Sequence, residues 1–312
     1  MDFHALLNTI ATLFVLMSVG FAANKFGIIN ESASKKLSKL IISVGQPCLI
    51  ISALTKIEYS EENLKLGFTT LALGMVVHII MSIIAFVSCR PIRDLDEQKL
   101  TEFTMIFGNV GFIGFPILES LFGSKGLFMG AFLMASFNII LWTWGIAILA
   151  RKRNDIKLTI KKIFINYGTV PSAIGILLFV INIEIPKFLT DTVGYLGNLC
   201  TPISMLIIGA LLARSKLLKL FTTIKIYYIS TMKLIVIPLI ICLIMKVFGF
   251  SNDIVLFMSA VAAMPCATNV SMLAELYGIK PEYSAQAVGM SSILSVITIP
   301  TVMLLSDMIV KL

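Results

Sequence analysis

The sequence predicts an all-α polytopic membrane protein with ten transmembrane helices, built as two inverted five-helix repeats. Its fourth and ninth helices are expected to be discontinuous and to cross. Three observations carry this reading. The 312 residues are 58% hydrophobic and only 13% charged, with a mean hydropathy of +0.97, whereas soluble domains run near half apolar and a quarter charged. The apolar residues fall into ten blocks, each near the roughly 20 residues a helix needs to cross a bilayer core. The second half also repeats landmarks of the first at a constant shift of 155 residues.

In chain order the blocks are 5–23, 37–54, 66–89, 103–122, 127–150, 163–183, 189–213, 226–250, 254–276 and 283–309. The first follows Asp2 and His4 rather than a positive segment, and no small-residue cleavage site follows it. It is therefore expected to be a retained helix and not a signal peptide. No linker between blocks is long enough for a separate soluble domain.

The net charge of +8 is unevenly distributed. The odd-numbered loops with the block edges beside them hold 18 of the 25 basic residues, the even loops with their edges and both termini hold six, and Lys233 lies deeper inside a block. Basic loops stay on the cytoplasmic side, so both termini are expected to be extracytoplasmic. The basic balance is thus a topology signal, and nucleic acid is excluded as a partner. The cysteines (Cys48, Cys89, Cys200, Cys242 and Cys266) are odd in number, lie in or beside apolar blocks and form no Cys-x-x-Cys pair. Neither a disulfide framework nor a metal site is expected from them, and nothing in the sequence calls for a cofactor.

At the 155-residue shift Gly20 falls on Gly175, Pro47 on Pro202, Gly123 on Gly278 and Ser136 on Ser291, without a gap. The repeats are residues 1–155 and 156–312. Five spans is an odd number, so the second repeat enters the membrane from the opposite side. Inverted repeats of this kind are typical of secondary transporters, because two similar halves in opposite orientation can exchange conformations.

The fourth block contains "GNVGFIGFP" (108–116), with Gly108, Asn109, Gly111, Gly114 and Pro116. The ninth contains "AAMPCATNVSMLAELYG" (262–278), with Pro265, Thr268, Asn269 and Ser271. Proline removes a helix donor and crowds the preceding turn, and glycine weakens a helix by roughly 1 kcal/mol. A Gly-x-x-Gly-x-x-Gly face also serves close helix packing. Interruption of the corresponding helix in both halves, each with an asparagine beside it, favours a transport site. The two half-helix N-termini, each equivalent to about half a positive charge, would make an anion site without any buried lysine or arginine. Freed carbonyls could instead hold a cation, but no carboxylate lies at mid-depth in these spans. Glu119 and Glu275 lie toward the far ends of their half-helices and are expected to be solvated.

Other polar residues are weaker candidates. Asn138, Gln286, Ser291, Ser292 and Ser295 either line the same cavity or hydrogen-bond between helices. Gln46–Pro47 and Thr201–Pro202 kink the second helix of each repeat, lining the cavity or bending a scaffold. His78 and Lys233 occupy equivalent positions. A histidine at mid-depth could carry a coupling proton; Lys233, about two turns from the cytoplasmic edge, can snorkel.

The two broken stretches resemble the signature segments of the auxin efflux carrier family. The resemblance is to its short bacterial members, described as malate or malonate permeases, and it covers essentially the whole chain. It implies a fold shared with bile-acid symporters and sodium/proton antiporters. Spans 1, 2, 6 and 7 would form a scaffold, commonly dimeric, and spans 3–5 and 8–10 a moving transport domain. The family's crossover would map onto Pro116 and Pro265, and its polar contacts onto Asn109 and Asn269. The long cytoplasmic loop of the plant carriers is absent; Arg151 to Lys162 alone join the halves. The antiporters' acidic pair also has no counterpart.

The function expected is secondary transport of a small organic anion, a carboxylate, across the cell membrane by elevator-like alternating access. A sodium-coupled bile-acid or sterol-type symporter and a carrier-fold ligand sensor without transport are the alternatives. An intramembrane enzyme is disfavoured: only His4 and His78 are present, and no nucleophile or metal motif accompanies them.

Overall fold

The computed structural model describes residues 3–153, 155–156, 161, 164–183, 185–214 and 223–312. Among these the chain is helical, and the sole strand-like feature is one isolated bridge between Gly108 and Cys266. Among the described residues seven helical runs are long and apolar enough to cross a membrane: His4–Lys25, Glu31–Thr55, Glu61–Ser88, Val110–Ala150, Lys187–Arg214, Ile224–Val247 and Pro281–Lys311. Thr169–Ile181 and Asn252–Ala262 are apolar but shorter. The protein is thus a multi-pass helical membrane protein.

Where the runs depart from the ten blocks, local backbone chemistry gives the reason. The fourth block divides between helix Leu95–Ile106 and one 41-residue run, Val110–Ala150, which also holds the fifth block. Within that run Gly123 adopts φ 62, ψ −151, a region essentially restricted to glycine, so two helices meet there. Gly278, its partner at the 155-residue shift, also has φ 62. The ninth block divides into Asn252–Ala262 and Thr268–Leu276 around a non-helical stretch. Helix Leu95–Ile106 begins well ahead of the fourth apolar block, capped by Asp94, whose side chain accepts from the Glu97 N–H.

Proline shapes the long runs. Of the four π-helical turns described, Ile41–Gly45, Val110–Gly114 and Met232–Val236 end just before Pro47, Pro116 and Pro238, whereas Leu141–Gly145 precedes no proline. A proline offers no N–H and its ring crowds the carbonyl one turn earlier. A widened turn absorbs that conflict without ending the helix.

The chain divides into two compact units. The first comprises Met1–Leu73, Gly111–Ile139 and Thr159–Arg214. In it helix Phe3–Lys25 lies directly against Cys200–Arg214. A Cβ on Gly20 would strike the Leu206 carbonyl, and one on Gly209 the Met17 carbonyl, so the two backbones touch where only glycine fits. Phe128 packs against Phe132 and Phe179 with ring centroids 5.1 and 5.0 Å apart, and Ser136 Oγ donates to the Leu71 carbonyl at 2.6 Å.

The second unit comprises Gly74–Val110, Ile140–Leu158 and Ser215–Leu312. Its core includes Phe103, Phe107 and Phe257, all fully buried. A polar cluster joins its helix ends: Lys280 Nζ reaches Asp94 at 2.7 Å and Glu97 at 3.0 Å, and Lys225 also pairs with Glu97. The Lys280 ammonium holds the Asp94 carboxyl below its ordinary range. The Lys225 ammonium, with help from Lys280, does the same for Glu97. Arg153 bonds Asp155 and donates to the Tyr277 carbonyl. Beneath this cluster Lys99 and Glu102 are each 1% exposed. Lys99 lies 3.3 Å from Asp96, and Glu102 accepts from Arg151.

Candidate functional site

The two interruptions meet inside the second unit. Helix Leu95–Ile106 stops at Phe107, whose φ of −96 and ψ of 110 are extended, as the chain enters Gly108–Asn109. Helix Asn252–Ala262 stops ahead of Pro265, which has no N–H to continue it. The two stretches run antiparallel: the Asn109 N–H donates to the Pro265 carbonyl at 2.7 Å, and the Ala267 N–H donates to the Phe107 carbonyl at 3.0 Å. Gly108 and Cys266 face each other between these bonds. Backbone left unsatisfied by a broken helix is intolerable at membrane depth unless it finds partners, and here each break supplies them to the other. The Cys266 N–H is taken by Ser291 Oγ at 3.0 Å, and Ser291 donates in turn to the Val288 carbonyl at 3.1 Å.

Helix Thr268–Leu276 starts directly after this pairing. Its first turn carries Thr268, Asn269 and Ser271. The hydroxyls of Thr268 and Ser271 are shielded and make no hydrogen bond; Asn269 is half-buried and Asn109 only 3% exposed. The N–H groups that open a helix carry partial positive charge and lack intrahelical acceptors. This end of the helix therefore offers donors and hydroxyls to a negatively charged group.

His78 is also in this unit and 1% exposed. Its Nδ1 lies 2.7 Å from the Gly74 carbonyl; a carbonyl can only accept, so Nδ1 carries the hydrogen. The ring sits beside Phe107 with centroids 6.1 Å apart.

Lys233 departs from the sequence reading. It was expected to snorkel, yet it is 0% exposed and its ammonium makes no hydrogen bond. A Cβ built on Gly108 would lie 3.3 Å from Lys233 Nζ and 3.1 Å from Met264 Cβ. Glycine at 108 thus lets the lysine reach the paired segments, and the crossing does contain a buried lysine. The signal available in the sequence was an ionisable residue inside a membrane block, which is a functional candidate by default. Its nearness to a loop obscured this, because depth along a helix does not say which way a side chain points.

The remaining candidates divide. Gln286 is half-buried on the last helix, and Ser292 Oγ there donates to its own helix at the Val288 carbonyl, 2.8 Å away. Gly111, Gly114, Pro116, Gln46, Asn138 and Thr201 belong to the first unit. There Gly111 lies beside Gln46, a Cβ on it falling 3.3 Å from Gln46 Nε2. Asn138 Nδ2 donates to the Met134 carbonyl at 2.7 Å and lies against Gly168. Gly114 closes the π turn ahead of Pro116, and Thr201 stands in the first turn of Cys200–Arg214. Glu119 is exposed, and the Glu275 side chain lies outside the described residues. Among the described residues no cluster of three His, Cys, Asp or Glu could hold a metal ion.

Comparison with known proteins addresses what this arrangement belongs to. A family model described as membrane transport protein matches residues 5–303. A protein of Methanothermobacter thermautotrophicus, named as an uncharacterized transporter, is 25% identical over 309 residues, covering 96% of this chain and 98% of its own. Another uncharacterized transporter, from Methanocaldococcus jannaschii, is 25% identical over 217 residues, covering 65% of this chain and 68% of its own. With helices of membrane-crossing length and a family match over nearly its entire length, the chain belongs to the membrane transport family of the auxin efflux carriers.

Proposed function

We propose that the protein is a secondary active transporter that moves a small organic anion, a carboxylate, across the cell membrane by elevator-like alternating access. One observation carries the reading: a helix N-terminus and two unpartnered hydroxyls, Thr268 and Ser271, open beside the paired breaks. Such an end attracts negative charge, and no Asp or Glu lies within 103–118 or 254–274 to offset it. Thr268, Asn269 and Ser271 would bind the anion, with Asn109 held against them by the backbone pairing at Pro265.

Residues 1–155 and 156–312 would be inverted repeats, a reading supported by the ungapped shift and by the shared φ of Gly123 and Gly278. Spans 1, 2, 6 and 7 would serve as a scaffold through which two copies pair. Spans 3–5 and 8–10 would carry the substrate, and both termini would be extracytoplasmic. His78, whose ring sits beside Phe107 near the crossing, is a candidate for proton coupling.

The test is counterflow in proteoliposomes with labelled mono- and dicarboxylates, indole acids and bile acids, with and without sodium and with a set pH gradient. Accumulation of a small carboxylate is expected, and Asn109→Ala should abolish it while the protein still inserts. Silence across the carboxylates from folded protein would end the anion-carrier reading. Sodium-dependent accumulation of bile acids alone would replace it with a symporter of amphipathic anions.

A further inference from the structure

Lys233 is the feature that the helix-end argument leaves unexplained. Its ammonium is withdrawn from solvent and unpaired at the crossing. Among the described residues the other buried charges of the second unit are answered: Lys99 by Asp96 and Glu102 by Arg151. Taking an ammonium out of water without a counter-charge is strongly unfavourable, so such a group is kept only where something compensates it. No carboxylate is available from 103–118 or 254–274, and none in the described residues lies within ion-pair distance of it. Among the described residues nothing supplies that negative charge as a carboxylate, and an anion bound from outside the chain would.

We infer that Lys233 is the charge-recognising residue of the transport site, pairing its ammonium with the carboxylate of a singly charged organic anion. The inference rests on the anion-carrier reading above and goes beyond it by naming the counter-ion and the charge it selects. One full positive charge at Lys233 and a partial one at the start of Thr268–Leu276 together balance a single carboxylate. A second carboxylate on the same ligand would stand in the same dry environment without a partner. An uncharged isostere would leave the ammonium as orphaned as it is in the empty protein. Gly108 has a matching role: any side chain there would meet Met264 and the Lys233 ammonium.

The deciding measurement is thermal unfolding of the purified full-length protein in detergent at constant ionic strength. Acetate, lactate, malonate and the uncharged lactamide are the probes. Lactate and acetate are expected to raise Tm, malonate to raise it less, and lactamide to leave it unchanged. Lys233→Met and Lys233→Gln should unfold at higher temperature than wild type without ligand, because an unpaired buried charge is removed. Both should weaken the anion effect about 100-fold, and Lys233→Arg should retain part of it.

A lower ligand-free Tm in Lys233→Met, an anion shift that survives in Lys233→Gln, or no shift in wild type would each overturn the inference. Counterflow separates its failure from failure of the carrier reading. Carboxylate exchange that is unaffected by Lys233→Gln removes the lysine and leaves the carrier; loss of exchange in that variant supports both.

Discussion

Glu102 and Lys233 are 1% and 0% exposed in the same unit, yet only Glu102 has an opposite charge against it, the guanidinium of Arg151. Desolvation alone would make both unfavourable, and the ion pair offsets much of that for Glu102. Among the described residues Lys233 has no such compensation. The difference separates a charge that belongs to the architecture from one held against the interests of stability, the usual mark of a site that completes itself with a ligand.

The largest effect is expected when Glu102 is left as unpaired as Lys233. Arg151→Ala strands a buried carboxylate and is expected to destabilise the protein by about 3–5 kcal/mol, read as a fall in Tm. Combining it with Glu102→Leu should recover most of the loss. If Arg151→Ala were neutral, the pair would not be structural. Relieving Lys233 should act in the opposite direction: Lys233→Met is expected to stabilise the ligand-free protein by about 1–4 kcal/mol, the range found when apolar residues replace unfavourable buried ions. That opposite sign is the content of the contrast.

A backbone control sets the scale. Gly123→Ala forces a side chain into φ 62, ψ −151 and should cost about 1–3 kcal/mol without altering anion-induced shifts in Tm. Pairing at the surface should matter least. Lys280→Ala removes two ion pairs, with Asp94 and Glu97, but these groups keep access to water and the loss should be under about 1 kcal/mol. The sign with pH follows from the shifts. Asp94 and Glu97 are held down, so their contribution is complete above the ordinary carboxylate range near about 4 and is lost as pH falls through their lowered values. Lys280 is held up, chiefly by Asp94, so its share persists at neutral pH and vanishes only in strong base. A Tm profile that drops below pH 4 in wild type and flattens in Lys280→Ala is the expected result; identical profiles would place the cluster outside the stability balance.

Much of this was legible in the residues before any fold was known. Composition and block length fixed the helical membrane class, because backbone in lipid must be satisfied within its own segment. Gly108 and Pro265 marked the interruptions, since glycine and proline act on the backbone wherever they stand, whereas Gly111, Gly114 and Pro116 lie in a π turn and the helix that continues from it. Gly123 and Gly278, which coincide at the 155-residue shift, also share a φ of 62.

What the residues could not disclose lay between segments distant in the chain. The pairing of Phe107–Asn109 with Pro265–Ala267 joins stretches more than 150 residues apart, and no periodicity in either points to the other. Helix Leu95–Ile106 escaped the apolar count because its Lys99 and Glu102 read as loop charges until Asp96 and Arg151 enclose them. Lys233 reads as a lysine near a membrane edge. Only the tertiary structure turns it inward to Gly108, because burial belongs to a side chain's neighbours and not to its place in the sequence.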